Sequence, residues 1–142
     1  MKKIFVCSLL LVLGIGFIFA QHTSSDKNEP AAAVITFDKT THDFGVFSED
    51  DPVVKCTFTF TNEGNAPLVI HQAIASCGCT VPTYTRMPVK PGEKGTIEVT
   101  YNGEGKYPGK FKKSITVRTN AKDPMVRLFI TGDMTASEKD KK

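Results

Sequence analysis

"VVKCTFTFT", Val53 to Thr61, decides the fold. Val54, Cys56, Phe58 and Phe60 fall on one parity, while Lys55, Thr57, Thr59 and Thr61 fall on the other. Successive side chains of a strand point to opposite faces, so this run has one apolar and one polar face. It predicts a half-buried antiparallel strand. "TNEGNAP" follows as a turn cluster, because Asn and Gly reach left-handed backbone geometry at little cost. "LVIHQAIA" then resumes a strand, with Leu68, Ile70 and Ile74 expected on one face.

The same pattern continues outward. "VKPGEKG" is a Pro-Gly turn leading into "TIEVTY", where Ile97, Val99 and Tyr101 alternate with Thr96, Glu98 and Thr100. "KSITVRTN" and "MVRLFITGDM" supply two more alternating runs, separated by the turn "AKDP". Toward the front, "VITF" and "HDFGVF" read as one bent or two short strands. No segment carries a helical period. Short strands at hairpin spacing predict an all-β, immunoglobulin-like antiparallel β-sandwich of about seven strands. The expected boundaries are a flexible tether over 21–33, the sandwich over 34–135 and a charged tail over 136–142. The tether and tail are too polar to offset the entropy of ordering them.

The first twenty residues speak to address. Met1-Lys2-Lys3 precedes an apolar run from Ile4 to Phe19, and Ala20 gives way to the polar "QHTSSDKNEP". Charge, apolar stretch and small residue, in that order, describe a secretory signal peptide over 1–20 cut between Ala20 and Gln21. Ile18, three residues before the cut, is a poor fit, and the run is close to the length of an uncleaved anchor. Gly14, Gly16 and the abrupt polar flank favour cleavage. The expected location is periplasmic or secreted, with membrane contact only through the signal before cleavage. Cys7 leaves with it.

Eighteen basic and fifteen acidic residues give a formal charge of +3, and removal of Lys2 and Lys3 leaves +1. Such balance offers no footprint for nucleic acid. The basic run "GKYPGKFKK" from Gly105 to Lys113 reads as a solvated loop and strand start.

Five motifs occur in order: "HDFG" (His42–Gly45), F-x-F-x-N-x-G-x-x-P-L-x-I (Phe58–Ile70), "SCGCT" (Ser76–Thr80), "PGEKG" (Pro91–Gly95) and "TN" (Thr119-Asn120). Together they resemble the bacterial domain-of-unknown-function 1573 family, exported immunoglobulin-like domains similar to the Hydin-type domains of cilia proteins. The resemblance spans nearly the whole folded region. It implies a sandwich in the cell envelope and no established activity. Cys77 and Cys79 match the family's paired cysteines; Cys56 belongs to none of these motifs.

Cys56, Cys77 and Cys79 survive signal removal, an odd number for an oxidising compartment. Cys56 lies on the apolar parity and reads as a small buried hydrophobe. If the strands flanking "NEGN" formed a hairpin, Cys77 would stand about 13 Å past the position opposite Cys56, too far for a bond. Cys77 and Cys79 on an extended strand would have Cα atoms about 6.6 Å apart, at the edge of disulfide geometry. A bond therefore calls for a tighter bend, which Gly78 has the freedom to supply. So small a ring staples little. The pair is left as a candidate disulfide, redox pair or soft-metal (copper) site. His42 and His71 are poorly placed to complete a zinc set.

Catalytic and cofactor signatures are missing. His42-Asp43 are chain neighbours rather than a triad, and no serine sits in a nucleophile elbow. "GEGKYPG" lacks phosphate-loop spacing, and "SEDDP" lacks the ligand spacing of a calcium loop. The sequence thus predicts a non-enzymatic module without cofactor, presenting surface to an envelope protein or glycan. Thiol or copper chemistry at Cys77-Gly78-Cys79 and a purely structural domain are the alternatives.

Overall fold

The computed structural model describes residues 30–141. The expected signal peptide, with Ala20 and Gln21, lies outside them. The chain forms eight strands: β1 (Ile35–Phe37), β2 (Thr41–Ser48), β3 (Val53–Asn62), β4 (Ile70–Ala75), β5 (Thr80–Tyr84), β6 (Lys94–Asn102), β7 (Gly109–Thr119) and β8 (Met125–Thr135). A short 3-10 helix follows at Glu138–Lys141. One sheet has the order β1-β3-β6-β5, the other β2-β8-β7-β4.

The alternation of "VVKCTFTFT" is realised as read. Cys56, Phe58 and Phe60 are buried on the inner face of β3, opposite Val99, Ile97 and Gly95 of β6. Ile115 and Val117 of β7 and Leu128 and Ile130 of β8 close the core from the second sheet. Period-two burial on both sheets gives two apolar inner faces, and only face-to-face packing removes both from water.

Three features depart from the simple pattern. The leading strand is one path that changes sheets: β1 pairs with β3, then Asp38–Thr40 carry the chain across and β2 pairs with β8. Both β2 and β8 run from the same end, so this pair is parallel, whereas the other strand pairs are antiparallel. The split also raises the strand number to eight. Secondly, Ile74 does not face the core. The β4–β7 register shifts between Ile70 and Gln72, and this irregularity turns Ala73 and Ala75 inward, leaving Ile74 45% exposed. Thirdly, the hairpin supposed around "NEGN" does not exist: β3 and β4 lie in opposite sheets.

Both margins of the sandwich carry packing that composition did not suggest. Ala33 is buried and bridges to Ala121, while Ala32 exchanges hydrogen bonds with Asn65 through both its N–H and its carbonyl. At the other margin Ser137 is buried; its N–H donates to Glu49 and its hydroxyl to Asp50. Small side chains let each segment lie close to the domain, and the neighbouring loops supply the polar partners.

The sandwich has two ends. Residues 30–34 sit with the β3–β4 loop and Ala121-Lys122 at one of them. The β2–β3 turn, the β4–β5 turn and the β6–β7 loop gather at the other, linked by hydrogen bonds from Gly103 N–H to the Pro52 carbonyl and from Asn102 N–H to the Cys79 carbonyl.

Candidate functional site

The β4–β5 turn, Ser76–Cys79, carries the chain from one sheet to the other. Both flanks are held. Ser76 accepts from Ser114 N–H through Oγ and donates its own N–H to the Ser114 carbonyl, which fixes the entry to β7. Thr80 is buried opposite Tyr101 of β6, and its N–H closes the turn on the Cys77 carbonyl at 3.2 Å. Between these clamps Cys77 and Cys79 form a disulfide with Cα atoms 5.3 Å apart. The bend has shortened the extended separation into the ordinary range for the bond.

Gly78 does not do what the sequence suggested. The positive φ values belong to Gly45, Gly92, Gly105 and Gly109, and a Cβ built on Gly78 meets nothing within 4 Å. Neither backbone geometry nor crowding inside the domain requires a glycine there. Cys79 packs against the core cluster, whereas Cys77 stands outside that packing. The Thr80 hydroxyl lies 3.5 Å from the Cys77 sulfur and 3.9 Å from that of Cys79. Asn102, Glu104 and Lys106 complete a shallow depression of about 350 Å³ around the bond.

The other candidates are dispersed. Cys56 is a free, buried thiol on β3, its ionisation pushed up to about 11 by burial. Its partner Val99 and the Cys79 partner Asn102 are three residues apart on β6, about 10 Å along the strand. His71 is exposed on β4, and His42 is on β2 at the opposite edge of that sheet. Burial and Lys39, whose ammonium lies 2.8 Å from Nδ1, hold the His42 imidazole below its usual range, against a smaller opposite pull from Asp43. Among the described residues no three His, Cys, Asp or Glu side chains gather as a metal set.

The remaining motifs have structural roles. The Asn62 amide is buried; its nitrogen donates to the carbonyls of Ala66 and Val89, and its oxygen accepts from Gly64 N–H and Val34 N–H. Asn120 holds the Pro67 carbonyl and Val69 N–H in the same way. Gly95 lies under the Phe60 ring, where a side chain would collide. Gly45, at φ 69°, donates to the Asp43 carboxylate within the irregular step of β2.

Sequence reasoning missed Tyr107. It is 97% exposed in the β6–β7 loop, between Lys106 and Lys110 and at the same end as the disulfide. An aromatic inside "GKYPGK" was the available signal.

These features define an all-β, two-sheet sandwich of immunoglobulin-like architecture. A domain from human CEP192, an ASH/PapD-like domain, superposes with TM-score 0.60 at 9% identity, covering 84% of this chain and 97% of that one. A protein of unknown function from Porphyromonas gingivalis W83 superposes with TM-score 0.63 at 20% identity, covering 77% of this chain and 51% of that one. This chain thus spans about half the length of that relative. The periplasmic chaperone SfaE matches with TM-score 0.50 at 13% identity, over 73% of this chain and 58% of its own. No curated protein sequence matches. The family model described as protein of unknown function DUF1573 matches residues 35–134, and the chain belongs to that family.

Proposed function

We propose that this domain is a non-enzymatic, exported interaction module whose loop-bearing end contacts an envelope protein or glycan. The observation that carries the reading is Tyr107, an almost fully solvated aromatic on the loop joining β6 and β7 of the sandwich. Exposed aromatics are costly to leave in water and supply large contact area when covered. Val53 and Val46 are exposed at the same end, and Lys106 and Lys110 flank Tyr107 in the sequence. Loops on a rigid scaffold are where partners are commonly met. The signal-like N-terminus supports export.

The test places a photo-crosslinking residue at position 107 of the full chain in intact cells, with the same residue at Thr57 on the outer face of β3 as control. Discrete adducts from position 107, or retention on purified cell-wall glycan that Tyr107→Ala weakens at least about fivefold, are the expected outcome. Adducts no more numerous than those at Thr57, together with no glycan retention, would sink the reading.

A further inference from the structure

We propose that the Cys77–Cys79 bond is a thiol–disulfide exchange site that oxidises a dithiol, with the Cys77 sulfur as the point of attack. This goes beyond the interaction role and does not depend on it.

Four observations converge on the site. The ring closes over a single residue, so the bond constrains the unfolded chain very little and stapling does not account for it. The turn carrying it is clamped on both sides, by Ser76 to β7 and by Cys79 and Thr80 to β6, so the sulfurs are presented from a rigid base. Gly78 is exposed and adds no side chain over the half-buried bond. Every other described glycine either has a positive φ or lies where a Cβ would meet neighbouring atoms, and Gly78 does neither. Its bareness is therefore of use only to something approaching from outside. Finally, the two residues differ: both are half-buried, but Cys79 packs against the core cluster and Cys77 does not.

That asymmetry sets the order of events. A partner thiolate attacks Sγ of Cys77; a new S–S bond joins the partner to Cys77, and the Cys77–Cys79 bond breaks. Cys79 leaves with the electron pair as a thiolate. The Thr80 hydroxyl is in reach of both sulfurs, and Lys106 borders the depression with positive charge, so the leaving anion has a donor and a cation nearby. The partner's second thiolate then attacks the partner sulfur held in the mixed disulfide and releases Cys77. The partner passes from dithiol to disulfide, losing two electrons, and the Cys pair gains them. Two protons from the partner's thiols finish on Cys77 and Cys79.

The experiment uses the full chain with dithiothreitol as the probe dithiol, quenched by iodoacetamide and read by peptide mass spectrometry. Folded protein is expected to be alkylated at Cys77 and Cys79 but not at Cys56, with an unchanged circular dichroism spectrum. Gly78→Leu, which covers the bond, is expected to slow that reduction about threefold or more. With reduced glutathione as the attacking thiol and the same quench, the trapped mixed disulfide on the wild-type chain is expected at Cys77 about tenfold more often than at Cys79. Reduction no faster than global unfolding, seen as Cys56 alkylated in step with the pair, overturns the site. Equal adduct rates at the two cysteines overturn the point of attack. Should Gly78→Leu fail to fold, the wild-type reduction rate against Cys56 alkylation still decides the site and the position of the glutathione adduct the point of attack.

Discussion

Asn62 is an amide with no solvent and four backbone partners, drawn from three separate segments of chain. Replacing it by Ala strands the Ala66 carbonyl, leaves the Val89 carbonyl with Leu68 N–H alone, and removes an acceptor from two N–H groups. Asn62→Ala is therefore expected to cost about 3 kcal/mol in urea unfolding, whereas the exposed Asn120→Ala costs about 1 kcal/mol because water substitutes. Cys56 offers a pH test. Its folded ionisation at about 11 lies above the reference value of 9.0, so burial favours the neutral thiol. Stability from this source is complete below pH 9 and is lost as the pH rises through 11. Comparing wild type with Cys56→Val at pH 8 and pH 10.5 should show wild type falling behind by on the order of 1–2 kcal/mol. The letters of "TNEGNAP" were legible as a turn, but the destinations of the Asn62 amide were not. They depend on Val34 and Val89, each more than twenty-five residues away.

At the scale of elements, alternation was legible in β3, β6, β7 and β8, because period two is a local property and each of these strands buries one face. It failed at Ile74 because the irregularity in β4 is written in its pairing with β7, not in "LVIHQAIA" itself. The Cys77–Cys79 spacing was legible as a bond requiring a bend, yet Gly78 supplies openness rather than an unusual backbone angle. Loop-closure entropy for so short a ring amounts to at most about 1.5 kcal/mol, so reduction should move the urea midpoint only slightly. A loss above about 3 kcal/mol would instead make the bond a structural staple. Gly64 belongs to this scale as well. A Cβ there would run into the backbone of Ala32–Val34. Gly64→Ala is expected to raise amide exchange at Val34 and Lys122 while leaving β6 and β7 protected.

Sheet membership is a property of the whole molecule, and no local pattern announced it. That β3 and β4 belong to opposite sheets, and that the leading strand changes sheets, follow from pairings between residues far apart in sequence. The last strand is pinned by the same architecture: β8 lies between β2 and β7, and Ser137 then ties the chain end to Glu49 and Asp50. Ending the chain at Ala136 should lower stability by about 1–2 kcal/mol in thermal unfolding, with β2 amides exchanging faster.

The placement of the two ends has a consequence of reach. From Lys94, beside the loop that holds the N-terminal segment, to Asn102, beside the disulfide, β6 covers eight residue steps or about 27 Å. Any attachment made through residues preceding Pro30 therefore meets the domain at its far end. Tyr107 and the sulfur pair stand at the opposite end of the sandwich, roughly the length of a strand from that junction.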